Sequence, residues 1–142
     1  MKKYFIILTA VILILSACAQ EKIEPPKLVI DSGNQQFTAV TGTYGWTENS
    51  QNIEADSDTP PNIVEFQEDE IIVNQRDTLN LVFKKVPNDV KVNIWKNSGI
   101  LKQELNDSRF TVPKEVGNVI YEVVVDYDQG TVHYAFEVII EN

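Results

Sequence analysis

This 142-residue chain holds one histidine and one cysteine, which limits the metal and nucleophilic chemistry its side chains can support. A structural zinc site draws on several Cys or His ligands, and His133 is the only imidazole on offer. A Ser-His-Asp arrangement would have to be built on that same His133. Glu54, Asp56 and Asp58 alternate as calcium ligands do. An EF-hand loop then requires a glycine and a distal glutamate at fixed offsets, where this chain has Pro60-Pro61. These carboxylates read as an acidic surface loop, as do Glu65, Glu68, Asp69 and Glu70. With no catalytic constellation, metal site or cofactor motif, the chain reads as a non-enzyme. The side chains left for recognition are aromatic: Tyr44, Trp46 and Trp95. Exposed aromatics beside glycines stack on sugars or anchor protein partners, although Tyr44 and Trp46 equally fit packing inside a sheet protein.

The elements that would position these residues are strands. Lys27–Asp31, Phe37–Val40, Thr43–Thr47, Ile71–Val73, Leu79–Phe83, Val90–Ile94 and Phe110–Val112 are short, β-favouring and separated by turn residues. Glu48 to Pro61 is polar and reads as a long loop; Ile63–Phe66 fits a short strand or a turn. No stretch after the leader keeps a helical apolar period over three turns. Two long alternating runs close the chain. One places Val119, Tyr121, Val123, Val125 and Tyr127 on a single face, the other Val132, Tyr134, Phe136, Val138 and Ile140. A turn at Gln129-Gly130 predicts that Tyr127 faces Val132, Val125 faces Tyr134, Val123 faces Phe136 and Tyr121 faces Val138. That register sets His133 opposite Asp126 on the outer face. It also sets Glu122 opposite Glu137, a like-charge pair that Lys91 would neutralise from a neighbouring strand. Trp95 is opposite in parity to Val92 and Ile94, so it is either surface or re-aimed by a bulge.

The N-terminus carries a different signal. Lys2 and Lys3 precede an apolar run from Tyr4 to Leu15, shorter than the roughly 20 residues a membrane span needs. Leu15-Ser16-Ala17-Cys18 follows and resembles the lipobox of bacterial lipoproteins. The resemblance implies that Cys18 receives a diacylglycerol and becomes the mature N-terminus after cleavage of residues 1–17. It also implies an extracytoplasmic, membrane-anchored protein, because two acyl chains hold firmly where one does not. A lipidated Cys18 leaves no thiol for disulfides or nucleophilic catalysis. Residues 18–26 then form a polar, Pro-terminated tether not expected to pack, and residues 27–142 a single domain that relies on burial alone.

The run Glu115–Val123 resembles the approach to strand F of immunoglobulin-like domains, with Tyr121 at the tyrosine-corner position. That resemblance implies an all-β, immunoglobulin-like β-sandwich. With its Gly42-Thr43-Tyr44-Gly45-Trp46 stretch and its Tyr134-Ala135-Phe136 ending, the chain as a whole is similar to small uncharacterised lipoproteins of low-GC Gram-positive bacteria, a family with no established activity to carry over. Charge narrows the partners further. Of 12 basic and 21 acidic residues, loss of Lys2 and Lys3 leaves 10 against 21, or −11. That balance disfavours nucleic acid and electrostatic adhesion to anionic lipid or anionic wall polymers, so the tether rather than charge is expected to keep the protein at the membrane. The expected role is a lipid-anchored, non-catalytic interaction or accessory module. The alternative is a carbohydrate-binding module for envelope polysaccharide, and the partners are the membrane through its anchor and an envelope protein or glycan.

Overall fold

A computed structural model describes residues 22–142, so Cys18 and the leader lie outside the described residues. Eleven strands run in chain order: β1 Val29–Asp31, β2 Gln36–Thr38, β3 Val40–Glu48, β4 Gln51–Ala55, β5 Ile71–Asn74, β6 Thr78–Val82, β7 Asp89–Lys96, β8 Gly99–Gln103, β9 Arg109–Thr111, β10 Gly117–Tyr127 and β11 Gly130–Glu141. One short helix, α1 (Pro60–Ile63), continues into a 3-10 turn over Val64–Phe66. Four strands form a small sheet in the order β2-β1-β6-β9. Seven form a large one, β4-β3-β11-β10-β7-β8, with β5 added to the distal half of β11. Every pairing is antiparallel except β5 with β11. The chain is an all-β, two-sheet sandwich.

Alternation explains the layering. Tyr121, Val123, Val125 and Tyr127 of β10 and Val132, Tyr134, Phe136, Val138 and Ile140 of β11 are buried toward the small sheet. Ile30, Phe37, Leu79, Leu81 and Phe110 answer them from the other side. Each such side chain contributes about 1.5–3 kcal/mol when removed from water. Tyr121 lies in the middle, stacked on Phe136 with ring centroids 5.2 Å apart and tilted against Phe110 at 5.0 Å.

The closing hairpin keeps the expected faces but not the expected pairs. Its turn is Asp128-Gln129, so Tyr127 pairs with Gly130, Val125 with Val132, Val123 with Tyr134 and Tyr121 with Phe136. Gly130 is not a turn residue. It opens β11 where β3 crosses closely, and a Cβ there would fall onto the Gly45 carbonyl. The shift is two residues, which conserves the side-chain faces and changes every partner.

Three other expectations change, and the open choice between strand and turn at Ile63–Phe66 is decided for the turn. The polar stretch from Glu48 to Pro61 is a hairpin followed by α1. Asn49 and Ser50 take φ of 52° and 62°, the backbone of a tight hairpin turn, and β4 is an exposed edge strand with little apolar pattern. Ile63–Phe66 is helical rather than extended, with Pro60 and Pro61 starting the turn as prolines do. The described part of the tether also packs: Ile23 lies against the core, and the Tyr134 hydroxyl donates to the Pro26 carbonyl. Tyr121 makes no tyrosine corner, because its hydroxyl is buried without a hydrogen-bond partner.

Candidate functional site

The outer face of the large sheet carries a polar network that links β7, β10 and β11. Because Val92, Ile94, Tyr121, Val123, Val132 and Tyr134 point inward, the residues between them point out. Glu122 of β10 stands directly across from Asn93 of β7. Trp95 of β7 and His133 of β11 are its diagonal neighbours, since Trp95 pairs with Ile120 and His133 with Val124. All three donate to the same carboxylate. Asn93 Nδ2 and Trp95 Nε1 reach Oε2 at 3.1 and 3.0 Å, and His133 Nδ1 reaches Oε1 at 3.0 Å.

The electrostatics follow from those contacts. Burial, which leaves the Glu122 side chain only 12% exposed, works to raise its pKa. The hydrogen bonds from His133, Asn93 and Trp95 outweigh it and hold the carboxyl below the usual glutamate range. Glu122 is therefore ionised and accepts only, so His133 donates to it through Nδ1.

A second layer covers this face. Thr43 Oγ1 accepts from the Ser57 backbone N–H at 3.1 Å, donates to Asp56 Oδ1 at 3.3 Å, and lies 3.1 Å from Ser57 Oγ. These bonds bring the segment after β4 back over β3 and β11. α1 then seats Ile63 on Gly42, where a Cβ would come within 3.0 Å of Ile63 Cδ1, 3.1 Å of Ser57 Oγ and 3.3 Å of the His133 carbonyl. A glycine is what lets the cover lie this close. The β3–β11 register slips between Val132 and Tyr134, at the same place. Between cover and sheet lies a cavity of about 230 Å³ lined by Thr43, Ser57, Asp58, Trp95, Glu122 and His133 among others.

Chemically the cavity wall presents a fixed anion, an imidazole, an indole and hydroxyls. Ser57 Oγ is engaged with Thr43 and the Asp58 carbonyl, so its hydrogen bonds do not involve the imidazole. Among the described residues no group of three or more His, Cys, Asp or Glu side chains is placed to hold a metal ion. Glu54 accepts from Asn52, Asp56 from Thr43 and Asp58 from the Thr59 backbone, so the three acids of the alternating run do not converge.

The aromatic candidates separate. Trp95 is on the outer face and half-buried in the cavity wall, without a bulge to re-aim it. Trp46 is not available to a ligand: β3 points it inward, where it is fully buried, edge-on to Tyr127 at 5.5 Å. Tyr44, on that same inner side, is half-buried and borders a groove with Ile23, Gln51 and Ile53. Ala135 belongs to the outer face but is wholly covered. His133 does not face Asp126, whose carboxylate takes the Thr131 hydroxyl instead. Glu122 faces Ala135 rather than Glu137, and Lys91 pairs with Asp89 at 3.2 Å, so the expected acid pair and its neutralising lysine do not exist.

Glu122 and Asn93 were not legible as a site, because Asn93 and Trp95 reach Glu122 through the β7–β10 register and His133 through the hairpin register. The signal available was a charged residue at an outward position on the central strand of a five-residue apolar alternation. Comparison with protein-family models, curated proteins and solved structures finds no match.

Proposed function

We propose that this chain is a bacterial lipoprotein, anchored through acylated Cys18 on the extracytoplasmic face. Its immunoglobulin-like sandwich acts as a non-catalytic accessory module that binds through the Glu122–His133–Trp95 pocket. The lipobox resemblance of Leu15–Cys18 supports the anchor. Among the described residues no helix is long and apolar enough to cross a membrane. The binding role rests on one observation: an ionised, largely buried carboxylate held by donors from two neighbouring strands at a cavity wall. Burying a charge is costly for stability, and such groups concentrate where a protein meets a ligand.

Crosslinking in intact cells tests this reading, with the native chain and Glu122→Gln compared and the captured species identified. A partner caught by the first and lost with the folded second supports it. Equal capture by both removes the pocket from the account. A second reading, binding of envelope polysaccharide, is favoured by Trp95 sharing the cavity with the Thr43 and Ser57 hydroxyls and a carboxylate. Because Trp46 is sealed in the core, quenching of tryptophan emission by glycan fragments would report on Trp95.

A further inference from the structure

Among the described residues, the most exposed large apolar side chain is Val86, at 91%. It sits in the loop Phe83–Asn88 between β6 and β7, preceded by Lys84 and Lys85 and followed by Pro87. The position of this loop is defined by its contacts. Asn88 bonds the Asp126 carbonyl through its backbone N–H and Asp128 Oδ1 through its side chain, and Lys85 bonds Glu48 at 2.7 Å. The loop therefore belongs to the end of the sandwich that holds the Asp128-Gln129 and Asn49-Ser50 turns.

The N-terminal segment leaves the domain toward the same end. Going back from β1, the chain passes Tyr134 at Pro26, then borders Tyr44 and Ile53 at Ile23 and Lys22, and Ile53 pairs with Trp46, next to Gly130. Only four residue steps separate Lys22 from Cys18, at most about 14 Å of chain. We propose that this end of the sandwich seats on the lipid surface, with Val86 entering the interface and Lys84 facing lipid phosphate. The inference rests on the anchor reading above.

Chemistry at the tip fits that partner. Lys84 is in no ion pair among the described residues; of the nearby acids, Glu48 pairs with Lys85 and Asp89 with Lys91, while Asp126 and Asp128 accept from the neutral Thr131 and Asn88 and keep their charge. The acidity of the chain opposes adhesion by charge alone, so the acyl anchor would hold the protein at the bilayer, and the exposed Val86 with the unpaired Lys84 would set which end meets it. This seating also directs the Glu122 pocket sideways along the sheet rather than into the membrane.

The test uses the full chain in its processed form, reconstituted in vesicles of phosphatidylcholine and phosphatidylglycerol. Val86→Cys carries an environment-sensitive dye; Val116→Cys, exposed at the opposite end just before β10, is the control. Mass spectrometry first reads the state of Cys18. With Cys18 acylated, a blue-shifted dye at position 86, quenched by spin-labelled lipid, and a water-like dye at position 116 support the seat. Equal, water-like emission at both positions overturns it and leaves the anchor standing. An unmodified Cys18 overturns the anchor, and this inference with it.

Discussion

Two tryptophans on one sheet show how differently its faces are built. Trp46 points inward, is fully buried, packs edge-on to Tyr127, and has Lys85 Nζ 5.1 Å from its ring centre. Trp95 points outward, is half-buried, and spends its indole N–H on an ionised glutamate. Core packing holds the first, with one long bond from its indole N–H to Glu48 Oε2 at 3.4 Å, while the second is organised by an acceptor it shares with Asn93 and His133. The inner face should respond to lost volume, the outer face to lost charge and hydrogen bonds.

The strongest way to break that contrast is to truncate both. Trp46→Ala should lower stability by about 3–5 kcal/mol, read from urea unfolding, because it empties the core. Trp95→Ala should do far less to unfolding and more to binding; equal losses would show the two faces are not distinct. Glu122→Ala comes next. It strands the Asn93, Trp95 and His133 donors, and about 1–3 kcal/mol is expected. Gly42→Ala should cost roughly 1–3 kcal/mol by pushing Ile63 and Ser57 off the sheet, with accelerated amide exchange in α1 as the accompanying sign. Acid titration sharpens the outer face alone. Since folding lowers the Glu122 pKa, its contribution is complete above the ordinary glutamate range, near pH 4.3, and disappears as pH falls through the depressed folded value. An unfolding series below about pH 4.5 should show that loss in the native chain and less of it in His133→Ala. The smallest effect is on the inner face: Tyr121→Phe removes a buried hydroxyl with no partner and should leave stability unchanged or raise it by about 1 kcal/mol.

Side-chain direction was readable from residue order, and partnership was not. Period two placed Tyr121, Val123, Tyr134 and Phe136 inside, and it put Trp95 opposite Val92 and Ile94, where the structure has it. The pairing depended on which residues made the turn. Gly130 resembles a turn glycine, yet it is needed because Gly45 lies against it across the sheet, a long-range cause with no local trace. β4 escaped notice for a related reason. It is an edge strand with one side exposed and the other only half-buried at Ile53 and Ala55, so burial imposes little alternation on it. α1 is a single turn, too short to show a period, and it is held by Ile63 on Gly42 rather than by propensity. The pocket inherits all three: Glu122 needs the register, Ser57 the end of β4, and the roof needs α1.

β11 is bonded on one side to β10 along nearly its whole length, and on the other to β3 over its first half and β5 over its second. It is also the last of these strands to leave the ribosome. Until then β3, β5 and β10 have no shared neighbour, and the large sheet cannot close, however early the other strands are made. Closure of the large sheet thereby waits for β11, and truncation within that strand should yield three sticky edges rather than a smaller domain.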